Sequence, residues 1–314
     1  MLSLKIDQSR ADGYAEKMWK HIQQQLARVI KDNGLKATKD KNGRIKRSAI
    51  LLSPDEKAFL ISINKEQEIK KILSAQPSEL RSLIRHFESA NTALRTKTDN
   101  MNRVLYNVFV SNIYMIKKKF DGFKFVNGIG LQTCPYCNRS YIHSVNKRGV
   151  VRPQIDHFYP KSLFPYLGLS FYNLIPSCSV CNGTTAKGER DSLDEGLTSP
   201  YEIKSDDFKF SFDLVTLDDF RVKLNRKIDV NDEYFRLEEF YQHHGDVAHE
   251  LYTKLYREGT REHFELLQKS LQGLGFDMDE VYRFITCGYL ADDELHKRPL
   301  SKLTKDISEE LGLK

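Results

Sequence analysis

Four of the five cysteines fall in two pairs, Cys134-Pro135-Tyr136-Cys137 and Cys178-Ser179-Val180-Cys181. Two such knuckles offer four soft sulfur ligands, the donor set that tetrahedral zinc takes at Zn–S distances of about 2.3 Å. Four thiolates close the coordination sphere, so the spacing points to structural zinc and leaves no position for a zinc-activated water. Four buried free thiols would leave the pairing without a reason. The 40 residues between the pairs exceed the spacing of a simple zinc ribbon, so a further piece of structure sits inside the staple. It contains Gln154-Ile155-Asp156-His157-Phe158-Tyr159-Pro160-Lys161-Ser162 and Phe171-Tyr172-Asn173-Leu174, and Asn182 follows the last cysteine. A carboxylate, an imidazole and two amides thus gather on one stapled segment. These are oxygen donors for a hard cation and a base that is available in its neutral form near pH 7.

The order Cys-x-x-Cys, Asp-His-x-x-Pro, Asn-Leu, Cys-x-x-Cys-Asn and Lys187, over residues 134 to 187, resembles the HNH (ββα-metal) endonucleases. Within them it is most similar to the PtuB-type nucleases of Septu and retron-associated antiphage defence. The run from His296 to Leu303 is similar to the same group, more weakly. The resemblance implies a zinc-stapled ββα core that hydrolyses nucleic-acid phosphodiester bonds. It makes His157 the general base toward water. It makes Asp156 and Asn182 the ligands of one catalytic divalent cation, Mg²⁺ or Mn²⁺, that stabilises charge on the scissile phosphate. Asn173 becomes a scaffold residue that hydrogen-bonds backbone and fixes the loop bearing His157. DNA is the first-choice substrate and tRNA or other RNA the second, with an ABC-type, PtuA-like ATPase as protein partner, in some settings within a retron complex. The contrasting reading is a catalytically silent, zinc-stapled adaptor.

One geometric condition accompanies that assignment. Adjacent residues of a regular strand point to opposite faces, so Asp156 and His157 share a site only if the strand ends or bends there. Asn182 is expected to approach from the other side, at the start of a helix opened by the second knuckle.

The elements around this segment read as α+β, mainly helical. Tyr14, Met18, Ile22, Leu26, Val29 and Ile30 make a helical stripe over 14–33 that Gly34 would stop. Residues 35–48 are polar and basic around Asn42-Gly43, which predicts a turn or loop. Ser53-Pro54-Asp55-Glu56 carries a capping box, and helical patterns follow near 65–75, 78–90 and 99–119. Alternation through Phe208, Phe210, Phe212 and Leu214, then Phe220, Val222 and Leu224 after Asp218-Asp219, predicts a β-hairpin. Helical periodicity returns from about 232. Three regions result: 1–125, helical with a basic loop; 126–200, the nuclease core; 201–314, the hairpin and C-terminal helices.

Charge is uneven along the 314 residues. The first 50 hold 12 Lys/Arg against 5 Asp/Glu, so the formal +6 of the chain resides there and the remainder is nearly neutral. Candidate nucleic-acid contacts are Lys39, Lys41, Arg44, Lys46 and Arg47 in the basic loop and Lys147, Arg148, Lys161 and Lys187 near the motif, acting on phosphate without reading sequence. The absence of a long apolar run or a signal-peptide pattern leads to an expected cytoplasmic location with no membrane partner. His243, His244 and His249 lack the spacing of a zincin and are expected to be solvated helix-end residues. Cys287, in Phe284-Ile285-Thr286-Cys287, is expected to be buried.

Overall fold

The computed structural model describes residues 1–216, 219–256 and 260–312. Helix α1 (Gln8–Lys31) opens on Asp7, whose carboxylate accepts from Arg10 N–H, and buries Met18, Trp19, Ile22, Leu26 and Val29. It ends before Asn33 and Gly34, both at positive φ. Gly34 belongs to a two-residue strand β1 (Gly34–Leu35), where a Cβ would meet Ile50 O at 1.9 Å. The basic segment is therefore not a simple loop. Strands β2 (Thr38–Lys39) and β3 (Ile45–Arg47) pair around Asn42-Gly43, and β4 (Ile50–Leu51) returns to β1, giving an exposed β-arm.

Helix α2 (Pro54–Ile63) begins on the capping box in full: Ser53 Oγ accepts from Glu56 N–H and the Glu56 carboxylate from Ser53 N–H, worth about 1 kcal/mol. Helices α3 (Glu66–Ser74) and α4 (Pro77–Ala90) follow. The stretch expected as one helix over 99–119 is α5 (Asn100–Leu105) continuing into a π-helix, Tyr106–Tyr114. That wider winding buries Val108, Phe109, Val110 and Ile113 and leaves Ile116 outside it, exposed. Helix α6 (Gly122–Ile129) ends on Gly130 in the left-handed region and leads into the first knuckle.

The central segment contributes the antiparallel pair β5 (Gln154–His157) and β6 (Leu174–Ser177). The predicted hairpin forms as β7 (Phe208–Thr216) and β8 (Asp219–Arg226), with Phe210 opposite Leu224 and Phe212 opposite Val222; Asp218 of its turn lies outside the described residues. Helices α7 (Asp229–Phe235), α8 (Leu237–Tyr241), α9 (Gly245–Tyr256), α10 (Thr260–Gly273), α11 (Met278–Thr286) and α12 (Ser301–Glu310) complete the chain. The architecture is mixed and mainly helical, with small two-stranded sheets.

One buried apolar cluster takes in Trp19, Phe87, Phe109, Tyr136, Phe158, Phe210 and Leu303, so all three regions share a core. Buried polar ties cross the same boundaries: Ser170 Oγ donates to Ile72 O and Asn138 Nδ2 to Leu295 O. Within the last region Phe210 N–H donates to Asp306, itself paired with Lys302. A satellite cluster of Leu271, Val281 and Ile285 holds α10 to α11. No helix among the described residues is long and apolar enough to cross a membrane. Cys287 departs from expectation: it caps α11 at positive φ and is exposed, because the helix carrying the apolar pattern has already ended at Thr286.

Candidate active site and metal centre

The four knuckle cysteines converge. Their Sγ atoms all lie within 4.8 Å of one another and all four residues are buried. Tetrahedral zinc would set sulfur–sulfur separations near 3.8 Å by its bond length, and Cys137 and Cys178 stand at 4.0 Å. Backbone N–H groups already point at sulfur: Arg139 N–H donates to Cys137 Sγ and Cys181 N–H to Cys178 Sγ, each at 3.4 Å. Burial pushes the Cys134 thiol up, so charge on this cluster needs a cation to offset it. The donor chemistry fits structural zinc.

The first knuckle is braced by residues that the motif does not contain. Asn138, next to Cys137, adopts positive φ. Its amide donates to Thr133 Oγ1, Leu295 O and Arg298 O, and its oxygen accepts from Lys302 N–H. Tyr241 Oη donates to Cys137 O. The run from His296 to Leu303, singled out in the sequence by resemblance alone, thus lies against the zinc knuckle.

Strand β5 does not bend between Asp156 and His157. Asp156 pairs with Ile175 and His157 with Leu174 in regular register, so their side chains depart on opposite faces. The Asp156 carboxylate accepts from Tyr136 Oη on one oxygen and from Lys187 Nζ, at 3.0 Å, on the other. Burial, with the carboxylate beside it, pushes the Tyr136 phenol far up, which keeps it a donor. Lys187 also donates to His157 O at 2.8 Å. It is fully buried, which removes it from the nucleic-acid contacts expected of it: its charge serves the interior.

On the other face, His157 packs edge-on against Tyr114, ring centroids 4.6 Å apart, and its Nε2 lies 3.2 Å from Gly168 O. A carbonyl only accepts, so Nε2 carries the proton and Nδ1 holds the lone pair. Burial first, then the positive charge of Lys161, holds the imidazole well below the usual histidine range. Asn173 joins the loop to the strand: its oxygen accepts from Tyr159 N–H at 2.7 Å and its amide donates to Tyr159 O and Leu167 O.

Asn182 does not open a helix. The chain after the second knuckle runs in successive turns, through Gly188 at positive φ, and Asn182 Nδ2 donates to Gln154 Oε1 at 2.7 Å. Both Asp156 oxygens hold a donor, and one donor is a cation. In this arrangement Asp156 and Asn182 do not fit a divalent cation. Asp156 and His157 are also only 2% and 4% exposed and so enclosed, whereas Asn182 is half-buried.

The remaining basic candidates are accessible. Lys39, Lys41, Arg44, Lys46 and Arg47 are exposed on the β-arm, Lys147 and Arg148 on the turn closed by the Val145–Val151 bridge, and Lys161 is half-buried. His243 is exposed, but His244 is half-buried and accepts from Arg139 Nε, and His249 packs on Phe220. Gly245 starts α9 and lies against Phe220 O. Tyr136, Asn138 and Tyr241 were not singled out in the sequence. The position of Tyr136 inside the first knuckle is the one local signal that it would face the stapled segment.

The site so defined is a buried four-cysteine cluster stapling a short antiparallel hairpin that carries an aspartate and a histidine. Over 47 residues the chain is 43% identical to the Septu protein PtuB of Bacillus thuringiensis, a match covering 15% of this chain and 18% of that protein. The similarity is thus partial on both sides. No family model and no solved structure matches the chain.

Proposed function

We propose that this protein is an HNH-type endonuclease that hydrolyses nucleic-acid phosphodiester bonds, DNA first and RNA second, with His157 as general base. The observation that carries the reading is the state of His157. Burial favours its neutral imidazole, its Nε2–H is directed at Gly168 O, and Nδ1 is then left with the lone pair that can take a proton from water. Its loop is fixed by Asn173, and Lys161 supplies positive charge beside it for a phosphate. The cysteine cluster is the structural zinc staple in this reading. Mg²⁺ or Mn²⁺ at Asp156 and Asn182, as the HNH resemblance implies, is the part that the enclosed arrangement does not accommodate.

The partial similarity to a Septu protein supports a defence setting, with an ABC-type ATPase partner that restrains or activates the nuclease, alone or within a retron complex. Burial of both Asp156 and His157 supports a resting state that a partner must open. A surface for such a partner is available on α10, α11 and the turn that joins them, where Leu266, Leu274, Phe276, Met278 and Phe284 are exposed. The same burial favours the adaptor reading, in which the hairpin is only scaffold.

Assay of the purified chain, with and without the ATPase, on double-stranded DNA, single-stranded DNA and RNA in Mg²⁺ or Mn²⁺ separates the two. His157→Gln keeps a donor for Gly168 O but has no base, and is expected to lower cleavage by about 10²–10⁴-fold. Cleavage by the variant at the wild-type rate would remove His157 as the general base, and no cleavage by the wild type with its partner would leave the adaptor reading.

A further inference from the structure

A cavity of about 600 Å³ lies between the end of α1, the β-arm, α5 with the π-helix, and the core at Ser162 and Glu189. Neither Asp156 nor His157 lines it. Five cations face it, Arg28, Lys36, Arg47, Lys97 and Arg103, against two carboxylates, Asp32 and Glu189. Lys97 is paired with Glu189 at 2.7 Å and Lys36 lies 3.8 Å from Asp32. The other three are guanidiniums, and none has a carboxylate partner among the described residues; Arg103 reaches only the Asn100 amide. Guanidinium is the side chain whose planar fork matches phosphate oxygens.

The rest of the wall differs in chemistry. Tyr106 supplies an aromatic ring and Val29 and Leu35 apolar surface. Asn112 Nδ2 donates to Asn107 Oδ1 at 2.8 Å, which leaves the Asn107 amide N–H groups and the Asn112 amide oxygen without partners among the described residues. Those are a donor and an acceptor for the edge of a heterocycle. Tyr106, Asn107 and Asn112 all lie on the π-helix, a winding that recurs at functional sites. The volume is that of a small-molecule site and exceeds what a lone phosphate would fill.

We propose that this cavity binds a nucleoside phosphate, its phosphates on Arg28, Arg47 and Arg103 and its base between Tyr106 and the two asparagines. The nucleotide is either free or one unit of a nucleic-acid strand entering along the basic arm. The proposal is independent of catalysis at His157.

Isothermal titration of the full chain with ATP, AMP, inorganic phosphate, and short single-stranded DNA or RNA tests it. A nucleotide is expected to bind well below about 1 mM, with inorganic phosphate at least about tenfold weaker. Arg28 is exposed and Arg103 half-buried, so Arg28→Gln with Arg103→Gln should leave the melting temperature in place. The double variant should weaken nucleotide binding by about tenfold or more, and His157→Gln should leave it unchanged. Binding by ATP or AMP identifies a free nucleotide; binding by oligonucleotides alone identifies a strand. The proposal is overturned if no nucleotide or oligonucleotide binds below about 1 mM, or if the double variant binds as tightly as the wild type.

Discussion

Lys187 sets its ammonium 3.0 Å from the Asp156 carboxylate and 2.8 Å from the carbonyl oxygen of His157, with both side chains out of solvent. One lysine thereby clasps the backbone of the candidate base and the carboxylate of its neighbour. Tyr136 completes the clasp from within the zinc knuckle.

Removing one partner of a buried ion pair leaves the other unpaired, at a cost of about 3–5 kcal/mol. Lys187→Met is expected to lose stability of that order in urea titration. It also frees an Asp156 oxygen. Mn²⁺ should then raise the melting temperature of Lys187→Met more than that of the wild type, and adding Asp156→Asn should abolish the gain. An equal response of all three proteins would show that Asp156 takes no cation.

The cysteine cluster should hold a single zinc, read by elemental analysis of the purified chain. Cys178→Ser is expected to lose it and to misfold around the hairpin, since metal binding at such sites is folding free energy. A well-folded Cys178→Ser protein with full metal content would refute the staple.

His244 gives a pH dependence of stability. Burial and the neighbouring Arg139 charge hold its imidazole below the usual histidine value, and as acceptor from Arg139 Nε it must be neutral. Between the folded value and the unfolded one near 6.5, the unfolded chain binds a proton that the fold excludes. Stability therefore falls as pH drops through about 6.5. In His244→Gln, whose amide oxygen still accepts from Arg139, the loss in urea midpoint from pH 7.5 to 5.5 should be smaller. Equal losses in the two proteins would contradict the assignment.

Asn138→Ala removes three donated hydrogen bonds and one accepted bond at a buried site. The backbone groups left without partners should cost about 2–4 kcal/mol, and zinc should be released faster to a chelator. An unchanged release rate would separate the C-terminal segment from the metal centre.

Local rules were legible in the sequence where one segment contains all the atoms involved. The capping box at Ser53, the alternation through Phe208 to Leu224, and the two cysteine knuckles are of that kind. Lys187 reads as a phosphate contact in the sequence because nothing near it shows that Asp156, 31 residues away, draws it inside. Burial decided its role. The π-helix escaped because Val108, Phe109 and Ile113 satisfy a 3.6-residue pattern nearly as well as a wider one. The helix expected at Asn182 is replaced by turns, which Gly183 and Gly188 after it favour. The brace of Asn138 on residues 295–302 was out of reach of any local pattern.

That brace also fixes an order of events during synthesis. Asn138 takes its last partner from Lys302, 164 positions later, which at about 5–20 residues per second is roughly 8–30 s after Cys137 is joined to the chain. Throughout that interval the nascent chain carries a knuckle able to find metal but lacking its final support. The stapled hairpin therefore gains its final support only once Lys302 has been made, and a chain cut short before Lys302 has a metal centre that was never locked.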